Sequence, residues 1–404
     1  MDKILLKKIL SNFQVSVGLL TFNKISSGYI NDTFKVFIDN NPKYILQKIN
    51  SKVFKNPEDI FHNINLIKNN SVDIGINYIN SKSNKPYTIN DSRRHIRLKI
   101  MQLIYALKIS DFKYDKDINN QLFKSLEDIY DLYLILISLI IEVQIKAESY
   151  LKIAQKKHLA TSDDINPNKK FINNRMLLLL RSNKLIEGEL KKRKLNVWKL
   201  DNEYVDAVFH DLIKSDLYSD YLNDSNNDFN SDKIFTVSFF KKIVATNEKL
   251  YNYLEDKNIT WSDDFPVVNT SIVKMLNKSN DDSPVSYFIP TLFKDTDDKK
   301  FAGDLLKLTI DNFKTYNEEI SKKTANWDPE RIANIDYVIL NLAICEFLNF
   351  PTIPVKVTIN EYIELSKEYS TPKSNVFVNG ILDAIVKDYS KNGLINKEGR
   401  GLVE

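Results

Sequence analysis

Glycine is scarce in this chain, with nine in 404 residues, about 2% against a usual level of roughly 7%. Between residues 92 and 390 only Gly188, Gly303 and Gly380 occur. Tight β-turns draw on glycine for their left-handed positions, so this stretch reads as helices joined by Asn/Asp/Ser loops. Cysteine is scarcer still. Cys345 stands alone, which excludes a disulfide framework and a multi-cysteine zinc site and fits a reducing cytosol. Beside apolar Ile344 it reads as a buried small hydrophobe. The four histidines, His62, His95, His158 and His210, have no ligand spacing, so neither a metal nor a cofactor is expected. Long apolar runs are also missing. "LYLILISLII" at 132–141 lies between Asp131 and Glu142 and is too short to cross a bilayer. The first residues carry Asp2, Lys3, Lys7 and Lys8 with no long apolar core, so no secretory signal and no membrane partner are expected, and a cytoplasmic location is. A large excess of one charge is absent as well: at a net +4, affinity for nucleic acid has to come from local patches.

What is present divides into two parts. In "ISSGYINDTFKVFIDNNPKYILQKIN" at 25–50, Thr33, Phe34, Val36 and Phe37 are β-formers, "DNNPK" is a turn and "YIL" resumes a strand, giving a hairpin behind a small-residue loop. Asn56, Pro57, Glu58 and Asp59 then mark a helix start. The stretch 80–92, "NSKSNKPYTINDS", has few large apolar residues and reads as a linker. Beyond it the pattern is helical. Asp328-Pro329-Glu330 starts a helix with Ile332, Ile335, Ile339 and Leu342 on one face. Thr358 and Glu361 have capping-box spacing. Thr371-Pro372 opens a last helix bearing Phe377, Ile381, Ala384 and Ile385 along one side, and a frayed tail begins near Asn392.

The first helical stretch, "SRRHIRLKIMQLIYAL" at 92–107, carries the strongest candidate chemistry. At 100° per residue Ile96, Ile100, Leu103, Ile104 and Leu107 share an inward face. Arg93, Arg94, Arg97, Lys99, Gln102 and Tyr105 fall on the remaining surface. Arginines contact phosphates, glutamine reads base edges and tyrosine stacks on an unstacked base, the mixture used for single-stranded RNA. Cations at a helix N-terminus oppose its dipole by about 0.3–1 kcal/mol each, a cost that a bound anion removes. The plain alternative is a solvated face with chance arginine spacing.

"RRHIRLKIMQLIYAL" resembles the opening helix of the NusB family of transcription antitermination factors. The block at 331–386, with "IPVKVTINEYIELSK" and "FVNGILD", is similar to that family's most recognisable region. "DINPNKKFINN" and the helices after it resemble enlarged members from Bacteroidetes-type bacteria, so the likeness runs over about 92–392. It implies a mainly α protein, a NusB-like helical bundle with a helical insertion, and no catalysis. It implies binding of boxA RNA together with the ribosomal protein NusE, within a transcribing RNA polymerase complex that holds other Nus factors. Carried over by position, the RNA surface would comprise Arg93, Arg94, Arg97, Gln102 and Tyr105, with Lys99 alongside and Lys373, Phe377 and Asn379 from the last helix. Phe377 also fits a core position, and Asn379 and Gly380 also fit close helix packing.

The front segment, about 10–75, resembles the N-lobe of aminoglycoside-phosphotransferase-like kinases, the N-acetylhexosamine kinase type in particular, through "ISSGYINDTFKV", "YILQKIN" and "VFKNPE". That likeness implies a small α+β fragment in which Ser26-Ser27-Gly28-Tyr29-Ile30-Asn31 would cover a nucleotide's phosphates. A kinase also needs a catalytic loop and metal-holding side chains. "FHDLIKSD" at 209–216 lacks the asparagine of such a loop, so an inactive fragment is expected. The expected divisions are 1–79 kinase-lobe-like, 80–91 linker, 92–195 first helices, 196–310 insertion, 311–392 C-terminal helices and 393–404 flexible tail. A sugar kinase and a helical interaction scaffold stand as the alternative functions.

Overall fold

The computed structural model describes residues 20–25, 32–39, 41–48, 93–112, 117–158, 161–325 and 332–402. The chain separates into two units, Met1–Lys85 and Pro86–Glu404. In the first, strands β1 (Leu20–Ile25), β2 (Asp32–Ile38) and β3 (Asn41–Lys48) form an antiparallel sheet in that order. The hairpin is tighter than its sequence suggests. Ile38 pairs with Asn41, so Asn41 and Pro42, read as turn residues, already belong to β3. Asp39 adopts φ +49°, a left-handed conformation that aspartate tolerates. Such a sheet recurs across unrelated folds, and the kinase resemblance gains no support from it. The loop at Ser26–Asn31, the helix start at Asn56 and the linker at 80–91 lie outside the described residues.

The second unit is helical throughout its described residues. Its elements are α1 (Arg93–Ile109), α2 (Ile118–Ala154), α3 (Ser162–Ile165), α4 (Arg175–Arg181), α5 (Lys184–Lys192), α6 (Val197–Leu200), α7 (Asn202–Ile213) and α8 (Asp216–Asn223). Then come α9 (Phe229–Phe239), a π-helical turn at Phe240–Val244, α10 (Glu248–Lys257), α11 (Trp261–Lys278), α12 (Thr296–Asp311), α13 (Phe313–Lys323), α14 (Asn334–Asn349), α15 (Val355–Tyr369) and α16 (Ser374–Lys391).

The apolar run of α2 explains the layout. Leu132, Leu134, Leu136, Ile137, Leu139 and Ile140 are fully buried, each contributing about 1.5–3 kcal/mol. A helix apolar on all sides must be covered on all sides, and α1, α4, α7 and α11 pack on it. No described helix is long and apolar enough to cross a membrane. The loops use asparagine where glycine is missing: Asn174, Asn183 and Asn247 each accept a backbone N–H at the start of the following helix, worth about 1 kcal/mol apiece.

Two helix signals read from sequence are displaced. α14 begins at Asn334 rather than at 328–330, which lie outside the described residues. α15 begins at Val355 after Pro354, which places Thr358 one turn inside the helix instead of at its cap. The Thr358 hydroxyl donates to Glu346 at 2.7 Å, while Glu361 pairs with Arg94. The capping-box spacing thus serves tertiary contacts. The tail from Asn392 folds back. Glu398 N–H donates to the Pro351 carbonyl, and the Lys397 ammonium donates to the carbonyls of Glu346 and Phe350. Gly401 is required there, since a Cβ would lie 2.1 Å from the Pro351 oxygen. Gly380 has open space around it, so close helix packing does not explain it.

Candidate nucleic-acid interface

The inward face of α1 is as the spacing predicts, with Ile96, Ile100, Ile104 and Leu107 buried. The cations are not all on the outside. Arg97 is 3% exposed and Lys99 1% exposed, which corrects the expectation that they emerge beside Arg93 and Arg94. Arg97 donates twice to Glu346, at 2.8 Å each. Glu346 is fully buried and also accepts from Thr358 and from Tyr362. Burial disfavours the charge on Arg97, but the Glu346 carboxylate outweighs it and holds the guanidinium pKa above its usual value. Lys99 meets both oxygens of buried Asp264, at 2.7 and 2.9 Å, and His95 Nε2 lies 2.7 Å from the same carboxylate. A buried charge is tolerated only when paired and hydrogen-bonded. Helix α1 is therefore clamped to α14 through Arg97 and to α11 through Lys99.

The other candidates remain nearer the surface. Arg93 donates to Asp298 at 2.7 Å, with its guanidinium 4.7 Å from the Phe301 ring centre. Arg94, half exposed, makes a two-point contact to Glu361 at 3.0 and 3.1 Å. That hydrogen bond and the charges of Glu361, Glu364 and Glu368 raise its pKa against the small cost of partial burial. Gln102 donates to Asp263, which also accepts from Tyr369 at 3.1 Å. α15 thus runs beside α1 in the same direction, Glu361 level with Arg94 and Tyr369 level with Gln102.

This arrangement carries the start of α16 toward the later part of α1. Lys108 donates to Asn334, and Ser374 donates to Asp336 two residues along the same helix, α14. Tyr105 and Lys373 are exposed, while Phe377 and Asn379 are half-buried, Phe377 packing against the core. The structure so divides the candidates: Arg93 and Arg94 at one end of α1 among carboxylates, and Gln102 and Tyr105 toward the end where α16 begins. A groove of about 960 Å³ opens beside Lys108, lined by Phe112, Phe313, Lys314 and Lys322 among others. Sequence reasoning missed Glu346, Asp264 and Asp298, the acids that fix the cations. Glu346 had a readable signal, a lone acid inside "ILNLAICEFLN".

Residues 267–387 match the NusB family. The transcription antitermination protein NusB of Salinibacter ruber is 43% identical over 112 residues, which are 28% of this chain and 70% of that protein. The chain belongs to the NusB family. The protein of the same name from Chloroherpeton thalassium is 42% identical over 106 residues, 26% of this chain and 50% of its own. That from Thermodesulfovibrio yellowstonii is 42% identical over 95 residues, 24% and 63% respectively. The NusB match starts within α11 and ends within α16. It leaves out α1, which is tied to the matched helices by Arg97–Glu346, Arg94–Glu361 and Arg93–Asp298.

Proposed function

We propose that this protein is a cytoplasmic transcription antitermination factor and not an enzyme. In this reading it binds boxA-type single-stranded RNA together with the ribosomal protein NusE and joins a transcribing RNA polymerase complex with other Nus factors. The observation that carries the reading is the identity above 40% to relatives named transcription antitermination proteins. The surface of α1 with the start of α16 adds chemical support. Arg94 and Lys373 offer charge to phosphates, Tyr105 and Phe377 offer ring faces, and Gln102 and Asn379 offer amides to base edges. Arg93 belongs to the same end of α1. Arg97 and Lys99 take a different role and orient α1 from inside.

The test is binding of the full chain to a boxA RNA and to its scrambled counterpart, with and without NusE, over a salt series. The expected result is preference for the unscrambled RNA, strengthened by NusE and weakened by salt. Equal affinity for the two RNAs, with no effect of NusE, ends the proposal.

A further inference from the structure

Between Lys169 and Lys199 the chain has ten Lys or Arg and two Glu, a net +8. The whole chain is only +4, so everything outside these residues sums to −4. The charge is concentrated in α4, α5 and their flanks, outside the segment that matches the NusB family. Most of these side chains face water, while Lys170 and Arg193 are largely covered and paired with Asp224 and Asp131. Lys184, Lys191 and Lys192 are 86%, 75% and 73% exposed, and meet only Glu187 and Glu189 from their own helix. Such surface pairs are worth about 0–1 kcal/mol and open readily toward a stronger anion. Arg175, Arg181, Lys169, Lys194 and Lys199 are exposed as well.

The cations form a line rather than a knot. Arg181 at the end of α4 holds Glu148 of α2, and Arg193 after α5 holds Asp131 of the same helix. Those two acids lie about 26 Å apart along α2 at 1.5 Å of rise per residue, so α5 and the turns on either side of it run back beside α2 over that length. Arg175 and Arg181 flank a groove of about 550 Å³ floored by Leu178 and Leu179. At the other end, Asp131 is one helical turn from Asp128, whose carbonyl accepts from Trp261 and whose carboxylate accepts from Asn258. The neighbouring Thr260 and Asp264 hold Lys99 of α1. The line therefore leads toward the helix that bears Arg94 and Tyr105. One residue in it sits in an unfavourable conformation. Lys194 ends α5 with φ +57°, in the left-handed region that a helix end ordinarily gives to glycine.

We infer that α4, α5 and the Arg193–Lys194 turn form a second, sequence-independent track for the phosphates of single-stranded RNA, flanking the element read near α1. The inference rests on the RNA-binding reading above and adds to it a surface within the insertion. The charge selects a polyanion, and its extended, one-sided layout suits a strand. A bilayer surface fits poorly, because the apolar side of α5, at Ile186 and Leu190, already packs into the protein and cannot enter lipid.

The experiment uses the full chain, a 12-nucleotide boxA RNA and a 30-nucleotide RNA carrying the same element with uridine flanks. The variant Lys184→Gln/Lys191→Gln/Lys192→Gln/Lys194→Gln removes exposed charge without emptying the core. It should bind the 30-mer about tenfold more weakly, with a log–log salt slope smaller by roughly 3, as expected for four phosphate contacts at ~0.7 each. Its affinity for the 12-mer should stay the same. Lys194→Gly, which relieves the left-handed lysine, should raise the melting temperature and still weaken the 30-mer. An unchanged slope, an equal loss on both RNAs, or displacement of the 30-mer as readily by polyglutamate as by poly-uridine overturns the track. A 12-mer bound no better than its scramble sinks the boxA reading instead, whatever the track variants do.

Discussion

Two cation-rich helical regions invite comparison, α1 and the α4–α5 strip. Both read as basic runs in sequence, "RRHIRLK" and "KKRK". In α1 every cation among the first seven residues has an acid brought from far along the chain, Asp298, Glu361, Glu346 or Asp264. For the exposed lysines of α5 the acids are local glutamates three or four residues away, while Arg181 and Arg193 on either side reach Glu148 and Asp131 of α2. The first arrangement spends positive charge on holding helices together, and the lysines of the second leave it facing water. A cluster of lysines and arginines thus says little about nucleic acid until the source of its counter-charge is known.

Removing one partner of the deepest pair tests that contrast most severely. Glu346→Ala would leave buried Arg97 with only a 3.8 Å contact to Glu361, and should lower the unfolding free energy by about 3–5 kcal/mol in urea titration. The paired change Arg97→Met with Glu346→Leu should recover most of that loss, since apolar packing replaces a buried ion pair at little net cost. Asp264→Ala strands Lys99 beside His95 and should cost about 3 kcal/mol by the same measurement. Loss below 1 kcal/mol in either would mean the buried charges escape to solvent. Gly401→Ala should cost about 1–3 kcal/mol through overpacking against Pro351, seen as earlier proteolysis of the last residues with the rest intact. The smallest effect belongs to Arg94→Ala. Its exposed pair with Glu361 should contribute less than about 1 kcal/mol to stability, while affinity for boxA RNA falls severalfold in a filter-binding assay. If stability drops and RNA affinity does not, Arg94 belongs with Arg97 as a clamp.

The helical class was legible because it depends on local chemistry. Scarce glycine, asparagine caps and the 3.6-residue spacing of Ile96, Ile100 and Ile104 each act over a few residues. Cys345 was readable as buried from its apolar neighbours, and it is fully buried. The fates of Arg97 and Lys99 were not legible. Helical phase distinguishes inside from outside around one axis, but it does not report a second helix laid over the flank. Thr358 and Glu361 show the same limit, since their spacing is that of a cap, and the acid 249 positions from Arg97 decides otherwise. The basic strip at 169–199 was countable from sequence but had no periodic signature to draw attention. The RNA-facing roles proposed for Arg93, Arg94, Gln102, Tyr105, Lys373, Phe377 and Asn379 come from family likeness by position, which no local periodicity marks.

The clamp between Arg97 and Glu346 also sets a clock. At a synthesis rate of about 5–20 residues per second, the 249 residues that separate them take roughly 12–50 s to emerge. Through that interval α1 exists without the acid that neutralises its arginine, and the helices between them must gather first. Loop closure over so long a span is slow relative to local helix formation. The nascent chain therefore presents a basic helix, its Arg97 still without Glu346, to the polyanionic surface of the ribosome until the last quarter of the protein arrives to take it inside.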